Sequence, residues 1–194
     1  MYMKRIIETQ RLIIRNFKED DLEDFIELTS NKKVCEMCNW PHFTDRETLK
    51  YSLIAQICKS LHFAIVLKNK NKLVGAIELL NCKNAKGLVD EKTKEIAFML
   101  NENYWNNGIM TEAIDAVVNY AFEVLNLTTI IGGYFEENNL SQKVQAKLGF
   151  KINNNKEIYN GNNQLIRYEL TKEEYLNFKK GQKWLGKQKT KKEY

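Results

Sequence analysis

Two stretches of the chain hold the residue types and spacings best suited to chemistry on an anionic or acyl substrate. The first is Tyr104-Trp105-Asn106-Asn107-Gly108-Ile109-Met110-Thr111-Glu112, which joins a strand-like apolar segment to one of helical period. A glycine-containing loop that opens a helix is a natural anion cradle. The first-turn N–H groups have no intrahelical acceptor, and the helix dipole adds its positive end. Gly108, having no Cβ, would let the backbone approach a phosphate closely. The same residues also suit an ordinary tight turn. The second stretch is Asn138-Asn139-Leu140-Ser141-Gln142-Lys143-Val144-Gln145-Ala146-Lys147-Leu148-Gly149-Phe150. Asn138 is suited to cap the helix that follows, which puts Ser141 in its first turn near the same sheet edge. A cap followed by a solvent-facing serine is the plainer reading.

A third pattern, Cys35-x-x-Cys38 followed by Cys58-x-x-x-His62, superficially matches a zinc ligand set. The residues between argue against it. Thr44 to Lys59 reads as one helix about 24 Å long at roughly 1.5 Å per residue. The short stretch 39–43 would have to carry Cys38 back along that whole length to reach Cys58. No metal site is expected, and the cysteine pair lacks the strand–helix setting of a redox motif.

These residues need elements to position them. Arg11 to Phe17 reads as a first strand, and Glu19-Asp20-Asp21 opens a helix with acids in its first turn. Leu22, Phe25, Ile26 and Leu28 form the apolar face of that helix. Asn31 to Phe43 reads as a loop carrying Trp40 and the single proline, Pro41; Thr44 and Glu47 then form a capping-box pattern for the next helix. His62–Leu67 and Leu73–Leu80 read as a hairpin around a polar turn, and Glu95–Leu100 as a fourth strand. Ala113, Ile114, Val117, Val118, Ala121 and Phe122 follow the helical period across Glu112–Val124. Thr128–Phe135 is a strand interrupted by Gly132-Gly133, and Leu140–Leu148 a helix that Gly149 ends. Lys156–Asn160 and Gln164–Leu170 close a hairpin around Asn160-Gly161-Asn162-Asn163, and Thr171–Lys180 is a short last helix. An antiparallel front half that runs into a β-α-β unit gives an α/β (α+β) domain with a mixed, mostly antiparallel sheet flanked by helices.

Bulk properties fit one domain. The chain has 194 residues, 43% of them hydrophobic, enough for a core. No apolar run approaches the roughly 18 residues of a membrane span, and residues 1–8 lack a secretory signal, so a cytoplasmic protein is expected. Its four cysteines are then expected as reduced thiols. The net charge of +5 owes much to Lys179, Lys180, Lys183, Lys187, Lys189, Lys191 and Lys192. These read as a solvated end, because no nucleic-acid motif accompanies them.

Taken together, the motifs resemble those of a known family. Glu8-Thr9-Gln10-Arg11-Leu12-Ile13-Ile14-Arg15 resembles the "ETxRLxLR" opening of ribosomal-protein N-terminal acetyltransferases, a branch of the GNAT superfamily. Lys72-Leu73-Val74-Gly75-Ala76-Ile77 resembles their "KLIGxI" strand, and Lys94 to Leu100 their "xEIGYxL". Trp105 to Ala113 resembles "WGKGYATEA", and Asn138 to Phe150 resembles "NxxSxxVxxKLGF". Five motifs in the family order run from Glu8 to Phe150, and the resemblance covers residue 8 to about 170. This resemblance implies a GNAT domain over 8–170, with 171–194 a short helix and basic tail.

The resemblance also implies acetyl-CoA as the acetyl donor and an amine as acceptor, a protein N-terminus being the acceptor of that branch. No membrane partner and no firm nucleic-acid partner is implied; a homodimer is possible. The CoA pyrophosphate would lie on backbone N–H groups of Asn107, Gly108, Ile109, Met110 and Thr111. Its pantetheine arm would run along Met99 and Leu100, in a splay between the fourth and fifth strands. Asn138 would hold the pantetheine amide, Ser141 would lie near the thioester sulfur, and Lys143 near the phosphates. Glu95 would serve as base, directly or through water, and Ser141 would give a proton to the leaving thiolate. A backbone N–H near Phe98 to Leu100 would hold the oxyanion. Trp40, with Pro41 and Tyr104, would border the acceptor mouth, plain core packing being the alternative for Trp40. Asn106 and Met110 depart from the smaller residues of the family loop. Two other readings remain open: a small-molecule acetyltransferase for a polyamine, amino sugar or antibiotic, and a CoA-binding regulator of weak activity.

Overall fold

The computed structural model describes residues 6–159 and 163–190, with side chains for 6–153 and 164–181. In β3 (His62–Leu67) every residue is buried, and successive residues enter opposite cores. Phe63, Ile65 and Leu67 join one cluster, Ala64 and Val66 the other, as the period of two in a strand requires. A strand buried on both faces must lie inside a layered sheet. The order is β1 (Ile6–Glu8), β2 (Leu12–Asn16), β3, β4 (Lys72–Lys83), β5 (Val89–Leu100), β6 (Thr129–Phe135), β8 (Asn163–Thr171) and β7 (Lys151–Tyr159).

Helices α1 (Leu22–Thr29), α2 (Lys32–Cys38) and α3 (Arg46–Ile57) cover one face through Phe25, Leu28, Val34 and Leu53. The other face is covered by α4 (Ile109–Glu123), by Leu148 and Phe150 just after α5 (Asn139–Lys147), and by Tyr175 of α6 (Lys172–Thr190). Helix α4 buries Ile114, Val117, Val118 and Phe122 completely. Each such side chain contributes roughly 1.5–3 kcal/mol. That outweighs the missing N-cap side chain, worth about 0.5–2 kcal/mol, so α4 is anchored with its first-turn N–H groups uncapped.

The sheet is antiparallel except where β5 meets β6. That parallel pairing spans Thr93–Ile96 against Thr129–Gly132 and then stops. Beyond it β5 continues to Leu100 and β6 to Phe135 as diverging strands, the expected splay between the fourth and fifth sequence-read strands.

Several boundaries differ from the sequence reading. The short strand β1 was not anticipated. The expected loop 31–43 contains α2, capped by the Asn31 side chain on Val34 N–H and ended by Asn39 at φ 53°. Seven residues are too short for helical period to stand out. Asp45, not Thr44, caps α3, accepting from Thr48 N–H at 2.8 Å. Strand β5 begins at Val89, α4 begins three residues before Glu112, and β7 begins at Lys151. The turn residues 160–162 and the side chains of the tail lysines beyond 181 lie outside the described residues. No helix among the described residues is long and apolar enough to cross a membrane.

Candidate active site

Gly108 caps α4 in the left-handed region, at φ 71° and ψ 6°. Asn106 is also left-handed at φ 60°, a conformation asparagine tolerates better than most residues. A left-handed residue followed by a right-handed helical one turns consecutive N–H groups to one side, making a concave anion site. With no capping side chain to satisfy them, the free N–H groups of the first turn of α4 remain available to an outside acceptor.

The loop is strapped from behind by the turn between β1 and β2. Arg11 Nη1 donates to Asn107 O at 2.9 Å, and Arg11 Nε to Glu112 Oε2 at 2.6 Å. Arg11 N and Thr9 Oγ1 donate to Glu112 Oε1 at 3.0 and 2.6 Å. Burial pushes the Glu112 carboxyl up, but the hydrogen bonds from Thr9 and Arg11, with the Arg11 charge, outweigh it and hold it below its ordinary 4.5. The sequence reading had Arg11 and Glu112 only as motif letters; the pair joins positions 101 residues apart.

From this cradle a cleft of about 170 Å³ runs into the splay. It brings together Met99, Leu100, Tyr104, Gly108, Ile109, Met110, Thr111, Asn138, Ser141 and Lys143 from the sequence-derived set. Met37 and Cys38 of α2 and Leu140 and Val144 of α5 add apolar walls. Asn107 lies beside the cleft, its side-chain amide on Trp105 O at 3.0 Å. Asn101 N–H bonds Val74 O on the β4 side. Strand alternation therefore turns the backbone groups of Leu100 and Phe98 the other way, into the splay. Leu100 O is already engaged by Trp105 Nε1 at 2.7 Å. The N–H groups of Phe98 and Leu100 and the carbonyl of Phe98 are left to face the gap.

Asn138 caps α5 as expected: its Oδ1 accepts from Ser141 N–H at 3.0 Å, and its Nδ2 donates to Met37 O at 3.0 Å. It thus ties α2 to α5 across the cleft. Ser141 is 7% exposed and faces the cleft. Lys143 and Lys147 sit on exposed positions of α5 and reach the same cleft.

Glu95 and Trp40, like Asn107, are not in this lining. Glu95 lies one residue before the strands part and projects to the α1–α3 face, by alternation with Ile96. There Arg167 Nη1 pairs with Glu95 Oε1 at 2.5 Å, reaching across β6 where Gly133 has no side chain. Arg167 was not foreseen, because its strand was read only as the second half of a hairpin. Trp40 packs against the second core, 6.2 Å from the His62 ring, and its indole nitrogen is buried with no hydrogen-bond partner among the described residues. His62 in turn bonds Gln56 Oε1 through Nδ1 at 2.8 Å. The thiols of α2 are occupied locally: Cys35 donates to Thr29 O and Cys38 to Val34 O, both at 3.1 Å. Burial pushes the Cys38 thiol up to about 12.

The arrangement suits a diphosphate at a helix start joined to an extended arm with amide groups that ends beside a serine. Comparison with known proteins gives the family. A family model described as acetyltransferase (GNAT) domain matches residues 11–151. The uncharacterized N-acetyltransferase YnaD of Bacillus subtilis is 30% identical over 145 residues, which cover 75% of this chain and 82% of that protein. A GNAT-family acetyltransferase from Bacillus anthracis superposes with TM-score 0.77 at 28% identity, covering 88% of this chain and 100% of that one. Two more distant structures share the fold at TM-score 0.70. One is a ribosomal-protein-S5-alanine acetyltransferase from Vibrio fischeri, at 21% identity with 88% and 98% covered. The other is a spermidine N-acetyltransferase from Vibrio cholerae in complex with CoA and spermine, at 18% identity with 87% and 99% covered.

Proposed function

The chain belongs to the GNAT family of N-acetyltransferases, and we propose that it moves the acetyl group of acetyl-CoA to the α-amine of a protein or peptide N-terminus. The observation that carries the acetyl-CoA part of this reading is the cleft joining the uncapped start of α4 to Ser141 at the β5–β6 splay; the acceptor rests on the motif resemblance. The first-turn N–H groups of α4 hold the pyrophosphate, with Lys143 nearby, and backbone groups of Phe98 and Leu100 pair with the pantetheine arm. Met99 adds a side wall, Tyr104 and Trp40 border the acceptor path, and Asn138 keeps Ser141 in place.

In the transfer, the amine nitrogen attacks the thioester carbon. Glu95, through a water, takes the proton the nitrogen loses, and the N–H of Phe98 or Leu100 stabilises the oxyanion. As the carbon–sulfur bond breaks, the Ser141 hydroxyl donates its hydrogen to the sulfur and regains one from solvent. No covalent acetyl-enzyme is needed. Arg167 pairs with Glu95 and so orients its carboxylate at the edge of the splay. The acetyltransferase unit corresponds to 8–170, with α6 and the basic tail appended.

The test is competitive. One peptide with a free N-terminus and an internal lysine is acetylated and mapped by fragmentation. An α-amine lies about 2.5 pK units below a lysine, a saving of roughly 3.4 kcal/mol in deprotonation, so α-acetylation is expected to dominate. Predominant ε-acetylation, or rapid turnover of a polyamine with neither peptide amine modified, would overturn the proposed acceptor.

A further inference from the structure

Gln145 is fully buried on α5, one turn after Ser141. Its Nε2 donates to Ser141 Oγ at 3.1 Å and to Gly133 O at 3.3 Å. Its Oε1 has no hydrogen-bond partner among the described residues. A leucine of similar size would fill the same space but leave the Gly133 carbonyl and the Ser141 oxygen without this donor, so the amide is there for the two groups it serves.

The backbone carbonyl of Gly133 settles which way the amide faces. A carbonyl oxygen only accepts, so the amide nitrogen must be the end that meets it. The same nitrogen meets Ser141 Oγ, and an amide nitrogen does not accept. The serine oxygen is therefore the acceptor in that bond, and its own hydrogen must point elsewhere. Among the described residues the Ser141 hydroxyl has no acceptor, and the open side of Ser141 is the cleft. The sheet is shaped to admit this amide. A Cβ on Gly132 would stand 2.7 Å from Gln145 Oε1, so the amide would have to shift from its present place. The first glycine of the Gly132-Gly133 pair is thus the space into which the Gln145 carbonyl fits.

We infer that Gln145 is a positioning residue that fixes Ser141 as a hydrogen donor toward the cleft, so that its proton is aimed at the sulfur of the leaving CoA thiolate. This rests on the role proposed above for Ser141. With the amide in place, the hydroxyl need not rotate when the carbon–sulfur bond breaks. Without it, nothing from Gln145 holds the hydroxyl hydrogen toward the cleft. A carboxylate in its place would accept the serine proton outright and turn it away from the sulfur.

The experiment compares Gln145→Leu, Gln145→Glu, Ser141→Ala and the Gln145→Leu/Ser141→Ala double variant. Turnover is measured alongside the thiol titration of enzyme-bound CoA, followed by thiolate absorbance. A donor aimed at sulfur stabilises the thiolate and lowers the bound thiol pKa. Ser141→Ala is expected to raise that pKa and to slow turnover by roughly ten- to a thousandfold. Gln145→Glu is expected to approach the Ser141→Ala values, although it is the closer steric match. Gln145→Leu is expected to lose at least about threefold in kcat, with the bound thiol pKa raised and CoA affinity unchanged. The double variant is expected to be no slower than Ser141→Ala. If Ser141→Ala is impaired while Gln145→Leu keeps the parental rate and thiol titration, the inference about Gln145 fails and the role of Ser141 stands. A double variant much slower than Ser141→Ala also overturns it, because Gln145 would then act independently of Ser141. If Ser141→Ala itself behaves as the parent, the proposed role of Ser141 fails, and the inference with it. Should Gln145→Glu not fold, Gln145→Leu alone decides.

Discussion

Replacing Gly108 tests whether the α4 cradle holds the cofactor, and the structure allows the size of the effect to be worked out. A Cβ built at Gly108 has one neighbour within 4 Å, the Arg11 guanidinium at 3.5 Å, an ordinary van der Waals separation. Steric crowding therefore adds little, and the cost lies in the backbone, which is left-handed at φ 71°. An L-residue there costs roughly 1–2 kcal/mol, and asparagine less. A loop free to relax to negative φ in the absence of ligand escapes that strain, but then loses the concave set of N–H groups. Binding must restore the conformation, which weakens CoA affinity by about 5- to 30-fold at roughly 1.4 kcal/mol per tenfold. Gly108→Asn is expected to bind nearly as the parent, Gly108→Ala 5- to 30-fold more weakly, about the cost just derived, and Gly108→Val, branched at Cβ, more weakly still. Isothermal titration with CoA gives the dissociation constants, and the CoA-dependent rise in melting temperature checks them by mass action. Parental affinity in Gly108→Val would refute the placement of the pyrophosphate.

Glu112→Gln removes a carboxylate that accepts from Arg11 and Thr9. It is expected to cost about 2 kcal/mol at neutral pH, as hydrogen bonds to a charged group do, and to weaken CoA through the loosened strap; equal denaturation midpoints would refute it. Because the folded carboxyl titrates below its ordinary 4.5, its contribution is present above that pH and lost as the pH falls below it, so variant and parent should converge in acid. His62 is held neutral by burial, down to about 3 from its ordinary 6.5. Its contribution is present above 6.5 and drains away toward 3, by up to about 1.4 kcal/mol per pH unit; His62→Leu should flatten the acid limb of stability against pH, and an unchanged slope would count against this. Glu95→Gln is expected to lower kcat/KM by roughly ten- to a thousandfold with CoA affinity unchanged, and a parental rate would remove it from the mechanism. Met110→Ala is expected to destabilise the fold by about 2–5 kcal/mol without tightening CoA, measured by denaturation and titration; a tighter complex would show that Met110 obstructs the cleft.

What could be read from the sequence was what neighbouring residues decide. Gly108 before the apolar period of α4, and Asn138 three residues before Ser141, are local patterns, and the structure places both at helix starts. What was missed depends on partners distant in sequence. Arg167 meets Glu95 across 72 residues and Arg11 meets Glu112 across 101, so no local window holds either pair. Helix α2 failed for another reason. Its apolar residues Val34, Cys35, Met37 and Cys38 are interleaved with Lys32, Lys33 and Glu36 within seven residues, too few for a helical period to repeat. The shift of the α3 cap from Thr44 to Asp45 shows the same limit, since both residue types cap well and only backbone geometry chose between them.

The residues that depart from the family pattern yield to the same kind of reasoning. Asn106 stands where a glycine is usual and keeps the left-handed backbone a glycine would have given. Met110 stands where a small residue is usual, yet it is 5% exposed and belongs to the main core cluster, with Leu100 and Ile114. Its bulk is largely absorbed by the core, although the residue still contributes to the cleft lining. The weak-activity reading drew its only support from Met110 as an obstruction. With most of that side chain accounted for as packing, the cleft keeps its path from the α4 cradle to Ser141. The Gly132-Gly133 interruption of β6 resolves in the same manner. One missing Cβ admits the Gln145 amide beneath Ser141, and the other leaves room for Leu165 and Arg167 above the sheet, so the two glycines serve the opposite faces of the splay.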